Sequence, residues 1–261
     1  MKLTPKNIYE KKQAGSKITV LSLYDYPSAR IADEAGVDIL MIGDSVAMVL
    51  LGHENTLGVT MEHMLYHTVA VSQAVRKGLV VADMPAHSYD DPEIALKNAK
   101  RFLEEGHADA VKLEGGSKVL NQVQKLIALG IPVMGHLGML PQTSGSQFHV
   151  QGKTPEEAKV ILEDAKMLDR LGVFAIVLEC IPAKLAAEIT QAVKCPTIGI
   201  GAGPETDGQV LVLQDILGIR SNVSPRFVRR YADLETIIKK AVQSYCQDVI
   251  KGQFPSKKES F

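Results

Sequence analysis

The sequence predicts one (β/α)8 barrel of the TIM type, an α/β fold, and three observations carry that expectation. Short apolar runs recur at residues 18–23, 39–42, 79–82, 110–113, 132–135, 175–178, 197–200 and 210–213. Each is apolar on both faces, as strands enclosed by helices must be. Helical stretches with legible caps lie between them, so strand and helix alternate as in parallel βα units. The 261 residues, 46% of them hydrophobic, suit one large core and a barrel of about 250 residues. A doubly wound open sheet would give the same alternation; the tally of eight strands favours closure.

In chain order, Thr4 then Pro5 supplies an N-cap and a proline at the first helical position, so residues 6–14 read as a short helix ended by Gly15. It lies in the N-terminal segment 1–17, ahead of the first strand, where it can plug the barrel's lower end. Thr60 precedes a helix over 61–75, and Asp91 with Pro92 opens one that reaches Glu105. Thr154, Pro155 and Glu157 form a capping box for a helix running to Leu171. The eighth strand has the weakest pattern. Beyond Ser221 the βα rhythm fades into one or two helices over 227–249 and a polar tail, 251–261. No repeat or low-complexity linker divides the chain, so residues 1–261 read as one domain.

A formal net charge of −1 gives no field for nucleic acid or an anionic membrane, which leaves small molecules or further copies of the chain as partners. No apolar run reaches the roughly 18 residues of a membrane span, and the first residues lack an apolar stretch of signal-peptide length. A cytoplasmic protein is expected. Cys180, Cys195 and Cys246 form neither an even disulfide framework nor a CxxC pair and read as reduced thiols.

Asp44, Asp83, Glu114, His136 and Glu179 each follow the end of an apolar run. On parallel strands of one closed sheet they share a rim, where barrel enzymes keep their chemistry. Asp44 and Asp83 are hard oxygen donors that suit a Mg²⁺ with positions left for water and substrate. Either alone could instead cap the next helix. Lys112 and Glu114 flank Leu113, so the two-residue period turns both into the mouth if Leu113 points outward. An unpaired buried lysine is costly, so Lys112 either holds an anionic substrate or pairs structurally with Glu114 or Asp83. His136 is a substrate hydrogen-bond donor or a satisfied core histidine.

Glu179 follows pure hydrocarbon, a setting that raises proton affinity as a general base requires. Its alternative is a favourable charge at the start of a helix near Pro182. Gly199-Ile-Gly-Ala-Gly203 has the spacing of a phosphate cradle, or simply of a tight turn. His63 and His67 are four apart but lack the glutamate of a zinc-protease helix, so they read as a surface pair.

Six segments then become recognisable together: Gly43-Asp-Ser-Val-Ala-Met48, Val81-Ala-Asp-Met-Pro85, Val111-Lys-Leu-Glu-Gly-Gly116, Pro132-Val-Met-Gly-His-Leu-Gly138, Leu178-Glu-Cys-Ile-Pro182 and Ile198-Gly-Ile-Gly-Ala-Gly203. In order, they resemble the signature segments of the ketopantoate hydroxymethyltransferase family, and the likeness extends over residues 18–234. The resemblance implies a Mg²⁺-dependent barrel enzyme of pantothenate synthesis that adds a hydroxymethyl group from 5,10-methylenetetrahydrofolate to 3-methyl-2-oxobutanoate. It implies Asp44 and Asp83 as metal ligands, Glu114 as a metal-site carboxylate, Ser45 and Lys112 as substrate contacts, and Glu179 as the proton acceptor. His136 falls at an active-site position. Family members assemble as homodecamers of two pentamers, and the same is implied here. Val46-Ala47, Ala86-His87, Gln214 and the loop Gly138-Met-Leu-Pro-Gln-Thr-Ser144 depart from the usual family residues; they touch the pocket rim rather than a proposed catalytic group.

On that reading Glu179 takes the C3 proton of the keto acid, and the resulting carbanion equivalent attacks the folate's methylene carbon. Two rivals stand beside it. A keto-acid lyase or mutase of the isocitrate lyase and phosphoenolpyruvate mutase type would want an acid placed for C–C cleavage, often a loop cysteine. A non-catalytic, oligomeric anion-binding barrel would gain nothing from so many charges around one cavity.

Overall fold

The computed structural model describes residues 2–144, 149–219 and 225–261; Ser221 lies outside the described residues. Eight strands form a closed barrel in sequence order: β1 (Ile18–Ser22), β2 (Ile39–Ile42), β3 (Leu79–Asp83), β4 (Ala110–Glu114), β5 (Val133–Gly138), β6 (Ala175–Glu179), β7 (Thr197–Ile200) and β8 (Gly208–Val212). Every neighbouring pair is parallel, and β1 with β8 closes the ring. The (β/α)8 fold expected from the apolar runs is the fold observed.

The barrel's helices are α1 (Pro5–Gln13), α2 (Tyr26–Glu34), α3 (Val46–Val49), α4 (Met61–Ala74), α5 (Pro92–Glu104), α6 (Leu120–Ala128), α7 (Pro141–Ser144), α8 (Pro155–Leu171) and α9 (Ala183–Ala192). Thr4, Thr60 and Thr154 cap as their positions suggest, each donating its own backbone N–H in return to the side chain of the third helical residue. Asp91 caps α5 by accepting the N–H groups of Glu93 and Ile94. The alternation breaks once: among the described residues no helix joins β7 to β8. The connection, 201–207, is short and carries two glycines and a proline, which oppose helix.

β8 also starts two residues ahead of the apolar run. Gly208 opens it because a side chain there would stand 2.4 Å from the Ile18 carbonyl. A glycine and a glutamine do not look like a strand, so the sequence pattern starts late.

Alternate strand residues fill the interior: Ile18, Val20, Ile39, Met41, Leu79, Val81, Ala110, Met134, Ala175, Val177, Ile198 and Val210 pack together. Ile8 of α1 is fully buried in the same cluster, so the N-terminal helix does plug the barrel floor. Burying one such side chain contributes about 1.5–3 kcal/mol.

Carboxylates ring that floor, and each has donors. Asp38 accepts from the Thr19 N–H at 2.9 Å and pairs with Lys11 at 2.6 Å. Asp109 accepts from the Val80 N–H at 2.8 Å and pairs with Lys2 at 2.7 Å. Asp207 accepts from the Thr197 N–H at 2.8 Å and pairs with Lys12 at 3.0 Å. Asp33 accepts N–H groups of Arg76, Lys77 and Gly78, just ahead of β3.

Residues 213–261 form a second compact unit. It contains α10 (Leu213–Leu217), α11 (Leu234–Ile250) and a 3-10 turn, Lys257–Glu259. Asp233 caps α11 through the Thr236 N–H, and Tyr245 meets Phe254 edge-on at 5.6 Å. No helix among the described residues is long and apolar enough to cross a membrane.

Candidate active site

The two-residue period that fills the core continues upward and changes chemistry. Above Val81 comes Asp83, above Ala110 come Lys112 and Glu114, above Met134 comes His136, and above Val177 comes Glu179. These side chains occupy the last inward positions of β3, β4, β5 and β6, and Asp44 stands two residues past β2. Strand register then sets the pairs: Asp83 lies opposite Lys112, and Glu114 opposite His136.

The Lys112 Nζ lies 3.0 Å from Asp83 Oδ2, with both side chains 4% exposed. The Asp44 N–H donates to the same oxygen at 3.2 Å. Asp83 Oδ1 is buried without a hydrogen bond. Glu114 Oε2 accepts the Gln142 N–H at 3.0 Å. Its Oε1 lies 3.4 Å from His136 Nδ1, and His136 Nε2 lies 3.1 Å from Glu179 Oε2. Both contacts are ion-pair distances without hydrogen-bond alignment. The expected rim cluster of Asp44, Asp83, Lys112, Glu114, His136 and Glu179 is therefore assembled.

Ser45 is half-buried at the cluster's edge, and its Oγ is 2.8 Å from the hydroxyl of Tyr24. Ser22 reaches that hydroxyl from β1 at 3.4 Å. Gly43 makes room for this chain, since a side chain there would stand 2.6 Å from Ser22 Oγ and 2.7 Å from Ser45 Oγ.

So many charges in a dry place disturb one another. Burial, then Glu114 and Asp83, push Asp44 up to about 7 against the pull of Lys112 and Gln142. Burial also raises Asp83, despite Lys112. Burial alone would lower Lys112, but Asp83, Glu114 and Asp44 outweigh it and keep the ammonium charged. Burial alone would raise Glu114, but His136, Lys112 and the Gln142 N–H hold it below its ordinary value. His136 is depressed by burial and by Lys112, yet Glu114 and Glu179 prevail and lift it to about 9. Nδ1 of His136 is 3.4 Å from Lys112 Nζ as well as from Glu114. A protonated ring has a hydrogen there, so the carboxylate is its partner rather than the ammonium.

Glu179 is thus not set in hydrocarbon alone, as its strand suggests; the neighbouring strand places an imidazole beside it. Cys180, which follows it, has φ of 47° and a thiol pushed up to about 12 by burial and by Glu179.

Three buried carboxylates, two of them with a buried oxygen that no hydrogen bond takes, form a hard donor set. Among the described residues no three His, Cys, Asp or Glu side chains are grouped so as to hold a metal ion by themselves. Mg²⁺ is ordinarily held by one or two carboxylates, with water and substrate oxygens completing its octahedron, so the residues fit that ion. The other motifs do not join the site. The His63 ring accepts the Thr60 N–H and completes a cap, and His67 Nδ1 bonds the Tyr24 carbonyl at 2.7 Å. At Gly199 a side chain would meet Thr206 Oγ1 at 2.6 Å, and at Gly203 it would meet Ala183 Cβ at 2.4 Å. These glycines permit close packing, and with no helix after β7 a phosphate cradle lacks its usual helix N-terminus.

Of the departing positions, Val46 and Ala47 are buried in α3, while His87 is exposed with φ of 65°. Gln214 is buried within α10. Three residues with polar roles at the site escape sequence reasoning: Tyr24, Tyr89 and Gln142. Only Gln142 had a cue, its place in the loop directly after β5.

The model of one family, ketopantoate hydroxymethyltransferase, matches residues 2–257. The chain belongs to the ketopantoate hydroxymethyltransferase family. It is 51% identical over 263 residues to 3-methyl-2-oxobutanoate hydroxymethyltransferase of Carboxydothermus hydrogenoformans, covering 100% of this chain and 95% of the relative. It is 52% identical over 258 residues to the protein of that name from Geobacter sulfurreducens, covering 98% and 97%. Among solved structures, a 2,3-dimethylmalate lyase of the phosphoenolpyruvate mutase/isocitrate lyase superfamily shares the fold with TM-score 0.62 at 17% identity, covering 100% of this chain and 92% of that one. A phosphonopyruvate hydrolase complexed with oxalate and Mg²⁺ superposes with TM-score 0.64 at 11% identity, covering 98% and 93%. At those identities the likeness concerns the barrel, whereas the hydroxymethyltransferase family fixes the chemistry, hydroxymethyl transfer to 3-methyl-2-oxobutanoate in pantothenate synthesis.

Proposed function

We propose that the rim cluster carries this reaction with Asp44 and Asp83 holding Mg²⁺, Glu114 beside them, and 5,10-methylenetetrahydrofolate as the one-carbon donor. The observation that supports it most is the pair of buried oxygens that no hydrogen bond takes, Asp83 Oδ1 and Glu114 Oε1, in a cluster that also keeps a charged lysine. A bound Mg²⁺ would supply Lewis acidity toward the 2-oxo acid. Lys112 balances the charge of the acid's carboxylate, and Ser45, steadied by Tyr24, donates a hydrogen bond to it. His136 provides a further donor to substrate and faces Glu179. Glu179, the group in the cluster whose side chain is only partly buried, accepts the C3 proton. Water frees the one-carbon unit from both folate nitrogens at the oxidation level of formaldehyde, and the activated C3 carbon bonds to it; the water oxygen becomes the new hydroxyl and tetrahydrofolate is left.

The phosphonopyruvate hydrolase, complexed with oxalate and Mg²⁺, supports the same ligand chemistry, since oxalate offers two adjacent oxygens as a 2-oxo acid does. Family resemblance also supports assembly as a homodecamer of two pentamers and a cytoplasmic site of action.

The decisive experiment follows deuterium uptake at C3 of 3-methyl-2-oxobutanoate from D₂O, with Mg²⁺ and without folate. Glu179→Gln keeps the shape and removes the proton acceptor. A general base contributes about 10²- to 10⁴-fold, so uptake should fall by that order. Uptake at the wild-type rate would exclude Glu179 and turn attention to His136.

A further inference from the structure

Gln142 lies in the short helix α7, directly after β5, and is buried. Its Nε2 is 2.9 Å from Asp44 Oδ2 and 3.0 Å from the Met84 carbonyl. Its backbone N–H donates to Glu114 Oε2 at 3.0 Å. Its Oε1 accepts from the Tyr89 hydroxyl. The orientation of this amide is forced. A carboxylate and a carbonyl can only accept, so the NH₂ group must face Asp44 and Met84. Oε1 then faces Tyr89, whose hydroxyl must donate. Tyr89 is itself anchored, because Gln122 of α6 donates to its carbonyl at 3.1 Å.

The consequence concerns which oxygens are left over. Asp83 Oδ2 is taken by Lys112 and the Asp44 N–H, which leaves Oδ1. Gln142 ties Asp44 Oδ2 and Glu114 Oε2, which leaves Asp44 Oδ1 and Glu114 Oε1. One residue thus supplies a donor to two of the three carboxylates and holds them in fixed rotamers while they repel one another.

We propose that Gln142, oriented by Tyr89, is a positioning residue that presents one oxygen each of Asp44 and Glu114 to a divalent cation. The inference rests on the proposed metal site. A glutamate at this position would set a further negative charge against Asp44, and an alanine would free Asp44 while keeping the backbone bond to Glu114. Neither Tyr89 nor Gln142 need touch the substrate for this role.

The test is Mg²⁺ calorimetry on the full-length, metal-free protein, alongside melting temperature. Residues that orient metal ligands typically contribute about 10- to 100-fold in affinity. Gln142→Met should therefore weaken Mg²⁺ binding by that order while the melting temperature stays near wild type. Tyr89→Phe removes one oxygen and should weaken Mg²⁺ in the same direction by less. Because both act through one amide, the double variant should bind Mg²⁺ no worse than Gln142→Met alone. Should Gln142→Met fail to fold, Tyr89→Phe carries the test. Wild-type affinity in the folded variants, or losses that multiply in the double variant, would overturn the proposal. Asp44→Ala separates the two levels. If it loses Mg²⁺ while Gln142→Met and Tyr89→Phe retain it, the positioning role alone fails. If Asp44→Ala itself binds Mg²⁺ normally, the metal site falls and this role falls with it.

Discussion

The floor and the mouth of this barrel both carry aspartates and lysines, yet they use them in opposite ways. At the floor, Asp38, Asp109 and Asp207 each receive a backbone N–H and a lysine, and Asp33 receives N–H groups from three successive residues. At the mouth, three carboxylates share one lysine, and two of their oxygens are buried with no hydrogen bond. The floor satisfies its charges; the mouth holds unsatisfied ones in place for a ligand. Stability and function are thus separated along the barrel axis, as the fold's two faces allow.

The largest test of that contrast is Asp83→Ala. Lewis acidity from a bound ion is worth several kcal/mol, so losing it should lower kcat/KM by at least about 10³-fold. Mg²⁺ affinity should fall with it, read by calorimetry. Unchanged Mg²⁺ affinity would remove Asp83 from the metal site and make its pair with Lys112 structural.

A second test sets the two ends against each other in metal-free protein. Asp44 sits at about 7, above an ordinary aspartate near 4. The folded state therefore binds a proton more tightly than the unfolded chain, and Asp44 costs stability progressively as pH rises between those values. Asp44→Asn should abolish that slope and raise stability at pH 7.5 by about 1–4 kcal/mol. Asp33 has the opposite sign. Burial would raise it, but the N–H groups of Gly78, Arg76 and Lys77 hold it below its ordinary value. Its contribution is complete above the ordinary aspartate value and is lost as pH falls through the depressed folded one. Asp33→Asn should lower stability at neutral pH by about 1–3 kcal/mol. Denaturant midpoints that shift the same way in both variants would erase the distinction between floor and mouth.

How much of this contrast the sequence reveals depends on periodicity. Asp83, Lys112, Glu114, His136 and Glu179 are legible because strand alternation continues past the apolar run, so the next inward position is known once the strand is known. β8 is read late and the missing helix before it is not foreseen, because Gly208 is chosen by close approach to Ile18 rather than by propensity. The setting of Glu179 is misjudged for a related reason: its own strand is hydrocarbon, and the imidazole beside it comes from another. Gln142 and Tyr89 are 53 residues apart, and Gln142 and Asp44 98. Neutral polar residues at such separations have no spacing rule to announce them.

The smallest test concerns Tyr24, a residue with no charge to lend. Its hydroxyl is buried between Ser22 and Ser45, and burial first of all keeps it protonated, as do Asp44 and Asp83 against the lowering effect of the two serines. A protonated hydroxyl has one hydrogen to give. Ser22 donates to Tyr24, so the Tyr24 hydrogen is left for Ser45. If Tyr24 donates to Ser45, the Ser45 hydrogen is free to reach a bound carboxylate. Tyr24→Phe removes the donor and leaves Ser45 free to rotate, so the loss is one neutral hydrogen bond, about 0.5–1.5 kcal/mol. That corresponds to a rise of about two- to tenfold in KM for 3-methyl-2-oxobutanoate with kcat and Mg²⁺ affinity held. Ser45→Ala should raise KM similarly, and the double variant should add little to it, since both act through one contact. Independent, multiplying effects would mean that Tyr24 serves packing alone and that the Ser45 hydroxyl finds its direction elsewhere.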